Sequence, residues 1–149
     1  MQQLLTIWRT SAMANSDEIR WQQRLENFGR ALARLESACN QDKYSELEQA
    51  GLVQMFEFTM ELAWKTLKDL LFYEGFDTKT PRETIRKAFE AEYLTEEETE
   101  TLLDALTKRN VLSHTYDEKA ASEAERLVKN VFTPVFRALY DRLQRKRLL

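Results

Sequence analysis

The sequence holds one cysteine, one histidine, three glycines and two prolines in 149 residues, and each scarcity removes a class of protein. Cys39, standing alone, excludes an internal disulfide framework and a cysteine-based zinc cluster within one chain, and it fits a reducing, cytoplasmic setting. His114, the single histidine, excludes any one-chain site that needs two. So little glycine and proline leaves almost no turn chemistry for joining many strands. No run of roughly 18 apolar residues occurs, so no segment reads as crossing a membrane. Residues 1–8 lack a charged leader region and the apolar stretch is interrupted at Arg9, so the start does not read as a signal peptide. Excess positive charge is missing as well. At a net charge of −3 the chain is not a basic coat for nucleic acid, and any RNA contact has to be local, in a cleft.

What is present is helix-forming. Charged residues make up 32% and hydrophobic residues 43%, an ordinary balance for one domain with a real core, and Leu, Glu, Ala, Lys and Arg dominate. The expectation is an all-α, single-domain, up-and-down bundle of about five helices. Residues 1–16 show no clear periodicity and are expected to form a loose extension ahead of a bundle over 17–149, with Met13 an alternative start of translation. Ser16 or Asp17 can cap a first helix to about Gln41, whose apolar positions Trp21, Leu25, Phe28, Leu32, Leu35 and Cys39 are spaced 4, 3, 4, 3, 4.

Asp42, Lys43 and Tyr44 make a turn, and Ser45 with Glu48 forms a capping-box pattern before a long second helix. Its stripe is Val53, Phe56, Met60, Ala63, Leu67 and Leu70. Phe58, Leu62, Trp64 and Leu71 widen it, as in a helix that touches several neighbours or a second subunit. Gly75 ends this helix. Thr80-Pro81-Arg82-Glu83 starts a short third helix that ends near Glu92, and Thr95-Glu96-Glu97-Glu98 starts a fourth that runs to Arg109 or beyond. A linker over 115–119 precedes a last helix to about Arg145. There Leu127, Val131, Val135, Ala138 and Arg142 share one side, with Phe132, Phe136, Leu139 and Leu143 beside them, and Pro134 is expected to kink the run or break it locally. Arg142, Arg145, Lys146 and Arg147 read as a solvated helix end.

The stretch richest in chemistry is Lys108-Arg109-Asn110-Val111-Leu112-Ser113-His114-Thr115-Tyr116. Continuing the stripe Leu103–Leu106 places Asn110, then Ser113 and His114, on the same face, so an apolar face turns polar. Either it emerges from the core there or it opens into a site. Asn110 and His114, at i and i+4, are neighbours; Arg109 and His114 are not, although a long Arg reaches round. A histidine moves protons near neutral pH, an arginine clamps phosphate or neutralises charge in a phosphoryl-transfer transition state, and Asn110 orients either. Together they suit cleavage of an RNA phosphodiester by the adjacent 2′-hydroxyl, which requires no metal. That chemistry works best with one base and one acid, and a two-fold homodimer would supply the second histidine. On spacing alone, a structural histidine at a bundle edge is the commoner outcome. Glu57, Glu61 and Lys65, at i, i+4 and i+8, read first as surface pairs, and a metal site there lacks a third ligand.

Arg109-Asn110-x-x-x-His114 resembles the Arg-polar-x-x-x-His signature of HEPN domains, and with Tyr116 it is similar to the motif of HEPN proteins encoded beside minimal nucleotidyltransferases. Further blocks resemble the nucleotidyltransferase substrate-binding protein family over about residues 18–140. They are Trp21-Gln22-Gln23-Arg24-Leu25-Glu26-Asn27-Phe28; Phe56-Glu57-Phe58 through Glu61-Leu62-Ala63-Trp64-Lys65-Thr66-Leu67-Lys68; Pro81-Arg82-Glu83-x-Ile85-Arg86; and His114-Thr115-Tyr116-Asp117-Glu118. Leu102-Leu103 departs from the pattern where a Trp is expected. The resemblance implies a four-helix-bundle-like HEPN fold and the toxin half of a toxin–antitoxin pair, acting as a metal-independent ribonuclease without a cofactor. Arg109 and His114 would be catalytic, Asn110 supporting, and Tyr116 the residue that the partner nucleotidyltransferase adenylylates, placing negative charge where RNA phosphate must sit. Two other readings are carried beside it: a non-catalytic subunit presenting substrate or nucleotide to the nucleotidyltransferase, and a structural helical adaptor.

Overall fold

A computed structural model describes the backbone of residues 2–112 and 117–149, and side chains from residue 15 onward. Among the described residues the chain is all helix and has no strand: α1 (Gln2–Ala38), α2 (Glu46–Tyr73), α3 (Pro81–Glu90), α4 (Glu96–Leu112), α5 (Glu118–Leu127) and α6 (Thr133–Leu148), with α5 and α6 joined through a π-helical turn, Val128–Phe132. That turn keeps right-handed helical dihedrals at both ends, so the last three segments form one continuous rod and the molecule is a bundle of five. No described helix is long and apolar enough to cross a membrane.

The start of α1 differs from expectation. The backbone is helical from Gln2, so neither Ser16 nor Asp17 caps it and residues 2–16 extend the helix. They contain no Gly or Pro, and once a helix is nucleated each further residue adds a hydrogen bond at little cost, so no periodic apolar face is required. The other starts follow the sequence closely. Ser45 and Glu48 complete a capping box, with Glu48 N–H donating to Ser45 Oγ (3.2 Å) and Ser45 N–H to Glu48 Oε1 (3.0 Å). Thr95 and Glu98 do the same for α4 (3.1 and 2.9 Å). At the end of α2, Gly75 takes φ +97°, and Phe76 N–H closes back on Leu71 O at 2.8 Å.

Helix α2 is the axis of the bundle. Every residue of its expected stripe is buried, and Trp64 and Leu71 extend the buried sector, while Phe58 remains exposed. Phe56 stacks on Phe132 (centroids 5.1 Å apart) and on Phe136 (6.1 Å), and Phe28 of α1 meets Phe136 edge-on at 6.2 Å. One aromatic column therefore ties α1, α2 and the last rod together. Arg147 donates to Glu26 (2.6 Å) and Arg137 Nε to Glu36 (2.9 Å), so α6 lies antiparallel to α1. Of Leu102-Leu103, the pair where a Trp is expected, Leu102 fills the core and Leu103 packs against its margin.

The expected phase of the last rod needs correction. Continuing the α5 positions Ala124 and Leu127 in α-helical steps predicts Val131, Val135, Ala138 and Arg142 inward. The fully buried positions are instead Phe132, Phe136, Leu139 and Leu143, each one residue later. The π turn supplies the extra residue. Pro134, which has no N–H to continue an α ladder, is exposed just beyond it, and the Val128 carbonyl accepts both the N–H and the hydroxyl (2.6 Å) of Thr133. The local break expected at Pro134 thus takes the form of a change of phase. Arg142 consequently is no solvated helix end: it forks onto Glu98 (2.8 and 3.1 Å) and donates to Tyr93 O (2.8 Å). Burial pushes the Glu98 carboxyl up, but the Arg142 bonds and charge and the Thr95 cap outweigh it and hold Glu98 below the usual glutamate range.

If the π turn is a one-residue phase correction, removing exposed Asn130 together with Pro134→Ala should restore an unbroken α-helix without turning α6. Thermal unfolding of that variant should remain cooperative near the wild-type midpoint. Removing Ala138 instead should swing Leu139 and Leu143 about 100° off the core and abolish the cooperative transition.

Candidate functional site at the end of α4

The inward face of α4 carries Thr99, Leu102, Ala105, Leu106 and Leu112. Thr99 satisfies its own hydroxyl by donating to Thr95 O at 2.7 Å, so it sits in the core without an unmet polar group. This face is rotated by one residue from the expected Leu103–Leu106–Asn110 line. Leu102 and Leu106 are one helical turn apart, and the next position on that line is Arg109. Asn110 is exposed, whereas Arg109 is half-buried, with 35% of its side chain accessible. A guanidinium thus interrupts the apolar face before its last buried residue, Leu112, and Asn110 faces outward.

Helix α2 supplies what meets it. Arg109 Nη1 donates to Glu61 Oε2 at 3.5 Å. The same oxygen accepts the indole N–H of Trp64 at 3.0 Å, and Lys65 Nζ lies 3.2 Å from Glu61 Oε1. Burial pushes the Glu61 carboxyl up, but the bonds from Trp64 and Lys65 and the charges of Lys65 and Arg109 outweigh it, leaving the carboxyl below the ordinary glutamate range. Glu61 stays ionised at neutral pH and anchors the cation from one side. A half-exposed pair of this length adds little stability; its effect is to orient the guanidinium, whose five N–H donors are fixed in a plane. Glu61 and Lys65 form the surface pair that their spacing implies, and the contact across to Arg109 comes in addition. The signal was that Glu61 and Trp64 sit at i and i+3 inside a family-like block, a spacing that lets one side chain hold the other.

Beside this point, between the first half of α2 and the start of α5, lies a cleft of about 500 Å³. Glu46, Glu57, Asp117 and Glu118 line it, over a floor that includes Val53 and Leu112. No lysine or arginine is among the described residues lining it. Leu112 and Asp117, which flank residues 113–116 in the chain, are both part of this lining. Asp117 caps α5, accepting the Lys119 N–H at 3.0 Å. His114 and Tyr116, the two further residues singled out by sequence, lie outside the described residues. Among the described residues no group of three or more His, Cys, Asp or Glu is placed to hold a metal ion.

On the solvent side of α2, Met55 (40% accessible) and Phe58 (61%) are exposed in a row with half-buried Leu62, immediately beside Glu61. An apolar strip next to a charged pair is the arrangement that a second chain commonly covers.

Similarity to known proteins agrees with this architecture. A crystal structure of a protein from Thermus thermophilus superposes with a TM-score of 0.69 at 29% identity, covering 80% of this chain and 98% of that one. None of the curated proteins is similar enough to match. The pattern of the family described as nucleotidyltransferase substrate binding protein like matches residues 23–145, which contain α2, Arg109 and the 113–116 segment. The chain belongs to that nucleotidyltransferase substrate-binding family.

Proposed function

We propose that this chain is the HEPN-type subunit of a pair with a minimal nucleotidyltransferase, and that it acts as a metal-independent endoribonuclease toxin. The observation that carries the reading is Arg109: its guanidinium interrupts the core face of α4 one turn before Leu112, a carboxylate from α2 meets it, and His114 follows five residues later. An oriented, permanently charged fork is suited to the negative charge that gathers on a phosphoryl group in transit. In the proposed reaction, the His114 imidazole takes the proton from a ribose 2′-hydroxyl, and O2′ forms a bond to phosphorus. The P–O5′ bond breaks, and the leaving 5′-oxygen takes a proton from a second imidazole. Arg109 balances the charge on the non-bridging oxygens, and Asn110 supports the bound strand from the outer face of α4. The products are a 2′,3′-cyclic phosphate and a 5′-hydroxyl. One chain holds one histidine, so the second comes from a homodimer partner, and the exposed Met55–Phe58 strip is the surface such a partner would bury.

The family's description also supports a second reading, a subunit that presents substrate or nucleotide to the nucleotidyltransferase without cutting it. The acidic cleft does not choose between the two, because four carboxylates lining it repel RNA and nucleotide phosphates alike. The two readings separate by mutation. Under the nuclease reading, expression of the wild-type chain without its partner arrests growth, and His114→Ala or Arg109→Ala relieves the arrest. Glu61→Ala should slow cleavage about ten- to a hundredfold through a misplaced guanidinium, while unfolding free energy moves by less than about 1 kcal/mol. Continued growth arrest by His114→Ala would contradict the nuclease reading.

Tyr116 is proposed as the point of control. Coexpression with the nucleotidyltransferase should raise the intact mass by one or more adenylates and remove toxicity, and Tyr116→Phe should abolish both effects. An unchanged mass in the silenced wild-type complex would mean that inhibition is by binding alone.

A further inference from the structure

Of the family-like block Pro81-Arg82-Glu83-x-Ile85-Arg86, most residues have an evident structural task. Thr80 caps α3 by accepting the Glu83 N–H at 3.1 Å, Pro81 occupies the first turn, the Glu83 carboxylate accepts the Lys79 N–H at 2.9 Å, and Ile85 is fully buried. Arg82 and Arg86 are left over. They are exposed, and at i and i+4 they stand one helical turn apart on the same side of α3. Arg82 reaches across to α4, where Nη2 donates to the neutral Thr107 hydroxyl at 2.6 Å, about 200° round the helix from Arg109. Among the described residues nothing pairs with Arg86, and neither guanidinium meets a carboxylate at ion-pair distance.

Both line an open depression of about 430 Å³, whose floor includes the hydroxyl residues Thr78 and Thr80. The two acids at its edge are engaged: Glu83 in the cap, and Glu90 with Lys87 Nζ at 3.2 Å. In a chain of net charge −3, two adjacent uncompensated arginines beside hydroxyl groups are a local exception. Their spacing matches the task of gripping a doubly anionic or repeating anionic group in two places. The acidic cleft beside Leu112 and Asp117 would turn the same group away.

We propose that Arg82 and Arg86 form a phosphate-binding surface that receives a phosphate-bearing substrate on the Thr107 side of α4, across the helix from Arg109 at its C-terminal end. The proposal rests on the reading of that end as the place where phosphate is handled, and it deepens it by naming the approach side. The ligand chemistry is phosphate linked to nucleoside, available either as the backbone of a single-stranded RNA or as a nucleoside triphosphate.

The test is binding of a fluorescein-labelled 2′-O-methyl oligouridylate, which cannot be cut by its own 2′-oxygen, and separately of ATP, to the full-length protein over a range of salt. For the oligonucleotide, Arg82→Gln/Arg86→Gln should weaken binding at least tenfold. It should also flatten the slope of log K against log salt by about 1.4, the loss of two phosphate contacts on a single strand. Arg145→Gln, a charge change at the exposed end of α6, should leave both nearly unchanged, and circular dichroism of all variants should match wild type. If only ATP binds and the double variant loses it, the phosphate surface stands with a nucleotide as its ligand, and the ribonuclease reading falls. Wild-type affinity and salt slope in the double variant overturn the proposal while leaving that reading intact. Failure of the wild-type protein to bind either probe overturns the proposal as well.

Discussion

The phase of the last helical rod is the constraint on which the rest of the structure depends. Between Val128 and Phe132 the backbone takes one residue more per turn than an α-helix allows, and everything beyond is rotated accordingly. Because of that rotation Phe132 and Phe136 face Phe56 and Phe28, closing a core shared by three rods. The same rotation aims Arg142 at Glu98 in the first turn of α4. Helix α4 is therefore fixed at its start by an ion pair from α6 and along its length by Leu102, Ala105 and Leu106. Its far end, with Arg109, is brought to Glu61 as a consequence of those distant contacts.

Much of this could be read from the residues. Caps are local, so Ser45 with Glu48, Thr80 with Pro81, and the acids after Thr95 announced three helix starts that the structure has. The stripe of α2 was legible because its inward residues repeat without interruption. What escaped were relations that depend on phase. Leu102 and Leu103 are both leucine, and either fits a stripe with Leu106; only the set of neighbours chooses Leu102, and that choice turns Arg109 inward and Asn110 outward. The one-residue slip of α6 is equally hidden, since apolar residues occupy both candidate sides of the rod. Pro134 signalled that something must change there, without saying that the change would be a rotation. The start of α1 was missed for the converse reason: a helix can continue on propensity where no face has to be buried.

The site was legible as a motif and incomplete as a place. Arg109 stood out from its spacing to His114, but its partner Glu61 lies 48 residues away on another helix, and no local pattern specifies that meeting. The electrostatics of the region sort into two flanks. On one, four carboxylates line a cleft beside Leu112 and Asp117. On the other, Arg82 and Arg86 stand without acidic partners and Arg82 leans onto α4. With a net charge of −3 the overall field offers an anion no attraction, so any anion contact has to come from such local contrast. In the proposed function this contrast sets the side from which a phosphate-bearing substrate approaches α4.

The measurement that bears most directly on the central claim is cleavage of a short RNA by the purified protein in excess EDTA, compared with the same RNA carrying 2′-deoxyribose at the cleaved position. The account predicts that the all-ribose strand is cut to 2′,3′-cyclic phosphate and 5′-hydroxyl ends, and that the single deoxy substitution stops cutting at that position. Cutting of the deoxy-substituted strand at the same bond, or no cutting of either strand by protein of unmodified mass, would contradict it.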